Sequence, residues 1–158
     1  LLAALADLPS TLADQIRLVV FGVLPRAPSN IPSDHIVSLG RIESPQALAQ
    51  IYSLADVLVL PSTWDNLPNI AVEAQACGVP GAAFNIGGLR DIITHQHTGY
   101  LAAACDPSCL SEAIVWCLER RHDPALRQSC RAKAQAEYAP EVHARRLMLA
   151  YQDAMRIS

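Results

Sequence analysis

With 158 residues, 51% of them hydrophobic, the chain is sized for one domain that buries a core. Its formal net charge of −3, from 12 basic and 15 acidic side chains that are interspersed, excludes a nucleic-acid surface. No apolar run reaches the ~18 residues that would suggest a membrane span.

The opening stretch Leu1–Leu8 is apolar, carries Asp7 and lacks a basic flank. It reads as a helix stopping before Pro9 rather than as a signal peptide. Arg17–Gly22 is a β-branched run closed by glycine, followed by a loop rich in proline (Pro25, Pro28, Pro32), and His35–Gly40 is a second strand. Ser44-Pro45 opens a helix through Ala55, with serine at the cap and proline at the first helical position. Asp56–Leu60 is a third strand, Pro68–Cys77 a helix ended by Gly78, and Val79–Phe84 a fourth strand that Gly81 weakens. Gly87-Gly88 precedes a short helix over Leu89–Thr94, and Gly99–Ala102 is a fifth strand. Asp106-Pro107 caps a helix to about Arg120, and two more follow over Pro124–Tyr138 and Pro140–Ile157.

Strands alternating with helices of this length imply an α/β fold, Rossmann-like, with a parallel sheet of five neighbouring strands flanked by helices. Ligands of such sheets bind beyond the carboxyl ends of the strands. Three loops leaving that edge carry unusual residues: Gly40-Arg41-Ile42, Ser62 to Asn69, and Asn85 to Arg90.

The most informative run is Pro61-Ser62-Thr63-Trp64-Asp65-Asn66-Leu67-Pro68-Asn69-Ile70-Ala71-Val72-Glu73-Ala74. Asp65 falls in a strand-to-helix loop and Glu73 about a turn and a half into the helix. The two carboxylates can hold two ends of a polar ligand against a helix N-terminus, whose unpaired N–H groups favour anions. Asn69 and Glu73, four apart, share a helix face and can orient a sugar or ribose hydroxyl. The plainer reading makes Asp65 a helix cap and Glu73 a solvated carboxylate. His35, His95, His97, His122 and His143 are scattered and form no nucleophile arrangement with a serine or cysteine. Five cysteines, an odd number without a CxxC pair, read as small buried or half-buried thiols in a reducing cytoplasm. Cys105, Cys109 and His122 match no common zinc spacing, so no metal site is expected.

Taken together, Ala55-Asp56-Val57-Leu58-Val59-Leu60-Pro61-Ser62, Asp65-Asn66-Leu67-Pro68-Asn69, Glu73-Ala74, Ala76-Cys77-Gly78-Val79-Pro80 and Gly87-Gly88 closely resemble the C-terminal domain of family 4 glycosyltransferases of the GT-B fold. Thr98-Gly99-Tyr100-Leu101 and the Asp106-Pro107 helix continue the match, which runs from about Arg17 to Arg120. The resemblance implies retaining transfer of a sugar from a UDP- or GDP-sugar, without a cofactor or essential metal. It implies that Glu73 accepts hydrogen bonds from ribose hydroxyls and that Asp65 approaches hydroxyls of the transferred sugar. Backbone groups of Asn66, Leu67, Pro68 and Asn69 would line the sugar and diphosphate, with Ile70 near the nucleoside. The Gly40–Ile42 loop would offer backbone edges to the base, on which Arg41 either stacks or stays solvated, and the resemblance favours close approach of Gly87-Gly88 to the donor over a plain turn.

There are departures from the family pattern. Asp65 stands where glutamate is common, and Gly81, where a β-branched residue is usual, implies a locally loose strand. The family's domain opens with a strand and loop bearing an arginine and a lysine that clamp the diphosphate. The chain begins after that loop, and Arg17 lies too far along to replace them. Residues 1–158 are thus expected to be one nucleotide-sugar-binding domain truncated at its start, inactive alone, with the acceptor-binding N-terminal domain as absent partner. The helix over residues 140–158, with a stripe of Ala144, Met148, Tyr151 and Met155, would pack toward that domain; uncovered, it would self-associate or rest on the domain's own helices. The intact enzyme would work in the cytoplasm at the inner face of the membrane, in cell-surface polysaccharide or glycolipid assembly. Rival readings are a flavodoxin-like binding domain with a structural acidic pair, and half of a nucleotide-sugar epimerase.

Overall fold

The computed structural model describes residues 1–22, 32–103 and 105–157; Pro25 and Pro28 of the expected loop lie outside them. The chain runs α1 (Leu2–Ala6), α2 (Ser10–Ala13), β1 (Leu18–Val20), a 3-10 turn (Ser33–His35), β2 (Ile36–Ser38), α3 (Pro45–Leu54), β3 (Leu58–Leu60), α4 (Asn69–Ala76), β4 (Gly81–Phe84), α5 (Leu89–Ile92), β5 (Gly99–Ala102), α6 (Pro107–Glu119), α7 (Pro124–Tyr138) and α8 (Pro140–Ile157). Helix starts follow from local chemistry. Ser44, Asp106 and Asp123 each accept a backbone N–H of the first turn, from Ala47, Ser108 and Ala125 respectively, and each is followed by proline at the first helical position. α4 stops where Gly78 takes a φ of +80°, with the N–H of Val79 returning to the Ala74 carbonyl at 2.9 Å. The short α2 has no counterpart among the expected elements, and the first four strands are shorter than the apolar runs that suggested them.

Among the described residues all strand pairs are parallel, as expected, but they form two sheets rather than one. β1 pairs with β2 in register Leu18↔Ile36, and β3, β4 and β5 form a three-stranded sheet with β4 at its centre. Among the described residues no ladder joins β1 or β2 to the three-stranded sheet. Leu18, Val57 and Val59 instead pack against one apolar cluster, so side-chain burial rather than backbone hydrogen bonding ties the two sheets together.

β4 is buried along its whole length. Ala82 and Phe84, with Ala102 of β5, pack against Leu110, Ala113, Ile114 and Cys117 of α6 and Ala4 and Leu5 of α1. Ala83 and Leu60 turn to the other side, against Ala71 of α4 and Leu89 and Ile92 of α5. This alternation is the two-residue period of a strand covered on both faces. Gly81 does not loosen β4. It pairs with Leu58 and Gly99, and a Cβ there would lie 2.6 Å from the Ile93 side chain, so close packing selects glycine. Because β3 and β4 are parallel neighbours, the loops that follow them leave the same edge of the sheet.

Candidate functional site

Buried Leu60 anchors the end of β3, and buried Pro68 precedes the first residue of α4. Between them Asp65 is half-buried, while Asn66 and Leu67 are exposed, as is Asn69 just beyond. No side chain caps α4, which corrects the plainer reading of Asp65 as the cap. Among the described residues the Asp65 carboxylate has no hydrogen bond or ion pair, and the N–H groups of Asn69 and Ile70 have no protein acceptor. A half-buried carboxylate thus precedes an uncapped helix start, where the backbone supplies donors and a positive dipole end.

The loop after β4 closes over this segment. A Cβ on Gly87 would overlap the carbonyl of Asp65, and one on Gly88 the carbonyl of Asn66, with Leu67 Cδ1 at 3.2 Å. Gly87 also takes a φ of +43°. The structure therefore brings Gly87 and Gly88 onto the backbone of Asp65 and Asn66, which gives both glycines a packing reason independent of any ligand. Arg90 folds back on the same loop, donating to the Asn85 carbonyl at 3.2 Å.

Glu73 is exposed on the second turn of α4, four residues after Asn69, yet its carboxylate is held. The Tyr52 hydroxyl donates to Glu73 Oε2 at 3.0 Å. Tyr52, on α3, is 3% exposed and packs with Ala74 and Val79. Burial, and then the hydrogen bond to Glu73, raises its phenol well above the ordinary value of 10.0. The Phe21 ring meets Tyr52 edge-on, with centroids 5.8 Å apart. Next along the chain, the N–H of Gly22 donates to the Gly40 carbonyl at 2.7 Å. A chain of contacts thus runs from Gly40 through Phe21 and Tyr52 to Glu73. Sequence reasoning missed Tyr52, because 21 residues separate it from Glu73 and no spacing rule connects them.

The rest of the Gly40–Ile42 loop is less engaged. Arg41 pairs with Glu43 at 3.5 Å in a largely solvated ion pair, and Ile42 is half-buried. His95 is tied into β5: its Nδ1 accepts the N–H of Leu101 at 3.1 Å and its ring lies 4.4 Å from that of Tyr100. Cys117 and Cys130 are buried, and burial pushes both thiols from 9.0 up to about 12. Cys77 and Cys109 are half-buried; Cys105 is exposed, contrary to expectation. Among the described residues no group of three or more His, Cys, Asp or Glu could hold a metal ion, and no helix is long and apolar enough to cross a membrane.

Among known proteins, the model of the family described as glycosyl transferases group 1 matches residues 1–137. The D-inositol 3-phosphate glycosyltransferase of Corynebacterium urealyticum is 35% identical over 101 residues, covering 64% of this chain and 22% of that protein. Its counterpart in Thermobispora bispora is 31% identical over 123 residues, covering 76% of this chain and 29% of that protein. The chain therefore spans less than a third of the length of these curated relatives. Sucrose-phosphate synthase from Thermosynechococcus elongatus superposes with a TM-score of 0.79 at 26% identity, over 99% of this chain and 42% of that one. Anabaena HepE in complex with UDP-glucose superposes with a TM-score of 0.75 at 20% identity, over 98% of this chain and 44% of that one, a likeness of fold.

Proposed function

The chain belongs to the group 1 glycosyltransferases, and from that membership we propose that it is the C-terminal, donor-binding half of a family 4 enzyme. The intact enzyme transfers a hexose, with retention, from a UDP- or GDP-sugar to a glycan or glycolipid acceptor. The observation that carries this reading is the convergence of the β3–α4 and β4–α5 loops at one sheet edge, beside an uncapped helix start. HepE, of the same fold, was solved with UDP-glucose, which supports a nucleotide-sugar donor here.

In this reading Glu73 accepts the ribose hydroxyls, and Asp65 accepts hydroxyls of the transferred sugar. The free N–H groups at the start of α4 and the backbone of Asn66 to Asn69 meet the diphosphate, so no divalent metal is required. Gly40, Arg41 and Ile42 lie toward the base, with Ile70 beside the nucleoside. The exposed Met148, Tyr151 and Met155 of α8 pack on the acceptor-binding half of the intact enzyme, at the cytoplasmic face of the membrane. The test is a donor panel read by thermal shift on the full-length protein. A UDP- or GDP-sugar should raise Tm without added metal. A flat response to every nucleotide sugar, with and without magnesium, would reject the reading.

A further inference from the structure

A glutamate on a helix surface ordinarily samples many rotamers, and its carboxylate points nowhere in particular until a ligand arrives. Glu73 differs because a donor from a neighbouring helix already engages it. The Tyr52 ring is fixed by the edge-on Phe21 and by Ala74 and Val79, leaving its hydroxyl little freedom. That hydroxyl reaches Oε2 alone, so Oε1 has no protein partner among the described residues. A neutral donor suits this task, since it orients the carboxylate without cancelling its charge, and burial keeps the phenol protonated.

Resting on the assignment of Glu73 to the ribose, we propose that Tyr52 is a positioning residue that presets the Glu73 carboxylate for an intact ribose cis-diol. Oε1 receives one ribose hydroxyl, and the remaining lone pair of Oε2 is open to the other. Preorganisation lowers the ordering cost of donor binding and makes affinity depend on both ribose hydroxyls.

The test uses the full-length protein and whichever of UDP or GDP it binds, together with the 2′,3′-dideoxy form of that nucleotide. Tyr52→Phe keeps the ring and its Phe21 contact while removing the hydroxyl. It should weaken the ribose form roughly 3- to 10-fold and leave the dideoxy form unchanged. In a Glu73→Ala background, Tyr52→Phe should have no further effect. Equal losses on both nucleotides, or no loss on either, would overturn the assignment of Tyr52. If Glu73→Ala itself fails to distinguish the two nucleotides, the ribose reading of Glu73 falls and the inference with it. If Glu73→Ala distinguishes them and Tyr52→Phe does not, the inference on Tyr52 alone is refuted.

Discussion

At the residue scale the two carboxylates differ in what holds them. Glu73 accepts a hydrogen bond from Tyr52, whereas Asp65 has no such partner among the described residues and sits half-buried beneath the Gly87-Gly88 turn. A carboxylate left without a protein donor is available to a ligand hydroxyl, and its loss should register in recognition of the sugar. Asp65→Asn is expected to reduce transfer by the full-length enzyme roughly 10- to 150-fold, the worth of a hydrogen bond to a charged group. Inhibition by the free nucleotide diphosphate should stay nearly unchanged; equal losses in both assays would mean that Asp65 orders the loop. The buried thiols give a separate expectation. Unfolded cysteines ionise near 9.0, while Cys117 and Cys130 hold their protons to about 12. The folded state therefore binds more protons in that window, and stability falls as pH rises from about 9 toward 12. Urea midpoints at about pH 8 and about pH 10.5 should show the fall, with a shallower drop in Cys117→Ala.

At the scale of elements, the β3–α4 loop, α4 and the β4–α5 turn act as one unit. Gly88→Ala would drive a methyl group into the Asn66 carbonyl, a backbone atom that cannot move without moving the loop. We expect a cost of about 1–3 kcal/mol and a matching loss of donor affinity, read from urea titrations and nucleotide binding. Gly81→Ala should cost stability but less affinity, because its obstacle is the Ile93 side chain inside the sheet. Helices α3 and α6 were legible in the sequence because a capping side chain followed by proline is a local signal. The strands were overextended because apolar runs mark burial, and burial at Val57 or Val79 continues beyond the ladder. Gly81 read as a weakness since its reason, Ile93, is a tertiary contact. The Tyr52–Glu73 bond was invisible for the same reason.

At the scale of the whole molecule, parallel α/β organisation followed from alternating signals, but the pairing of strands did not. Hydrophobic runs mark Leu18–Val20 and Leu58–Leu60 as strands; they do not say that no ladder joins them among the described residues. The apolar stripe of α8 was legible from its spacing, and the structure shows that the chain's own helices leave all of it bare: Ala144 is exposed, and Met148, Tyr151 and Met155 are 59%, 60% and 72% exposed. Residues 1–158 are therefore expected to associate reversibly in sedimentation velocity, and Tyr151→Glu with Met155→Glu should return them to monomer. A monomer at every concentration would refute self-association through α8.

The claim on which the account turns is that Glu73 contacts the nucleotide of the donor. Calorimetric titration of the full-length protein with UDP and GDP, in wild type and Glu73→Ala, tests it directly. The preferred nucleotide should bind the variant roughly 10- to 150-fold more weakly, with a modest fall in Tm because the buried Tyr52 hydroxyl loses its acceptor. Equal affinity of the two proteins for that nucleotide would contradict it and leave Glu73 a surface carboxylate tied to Tyr52.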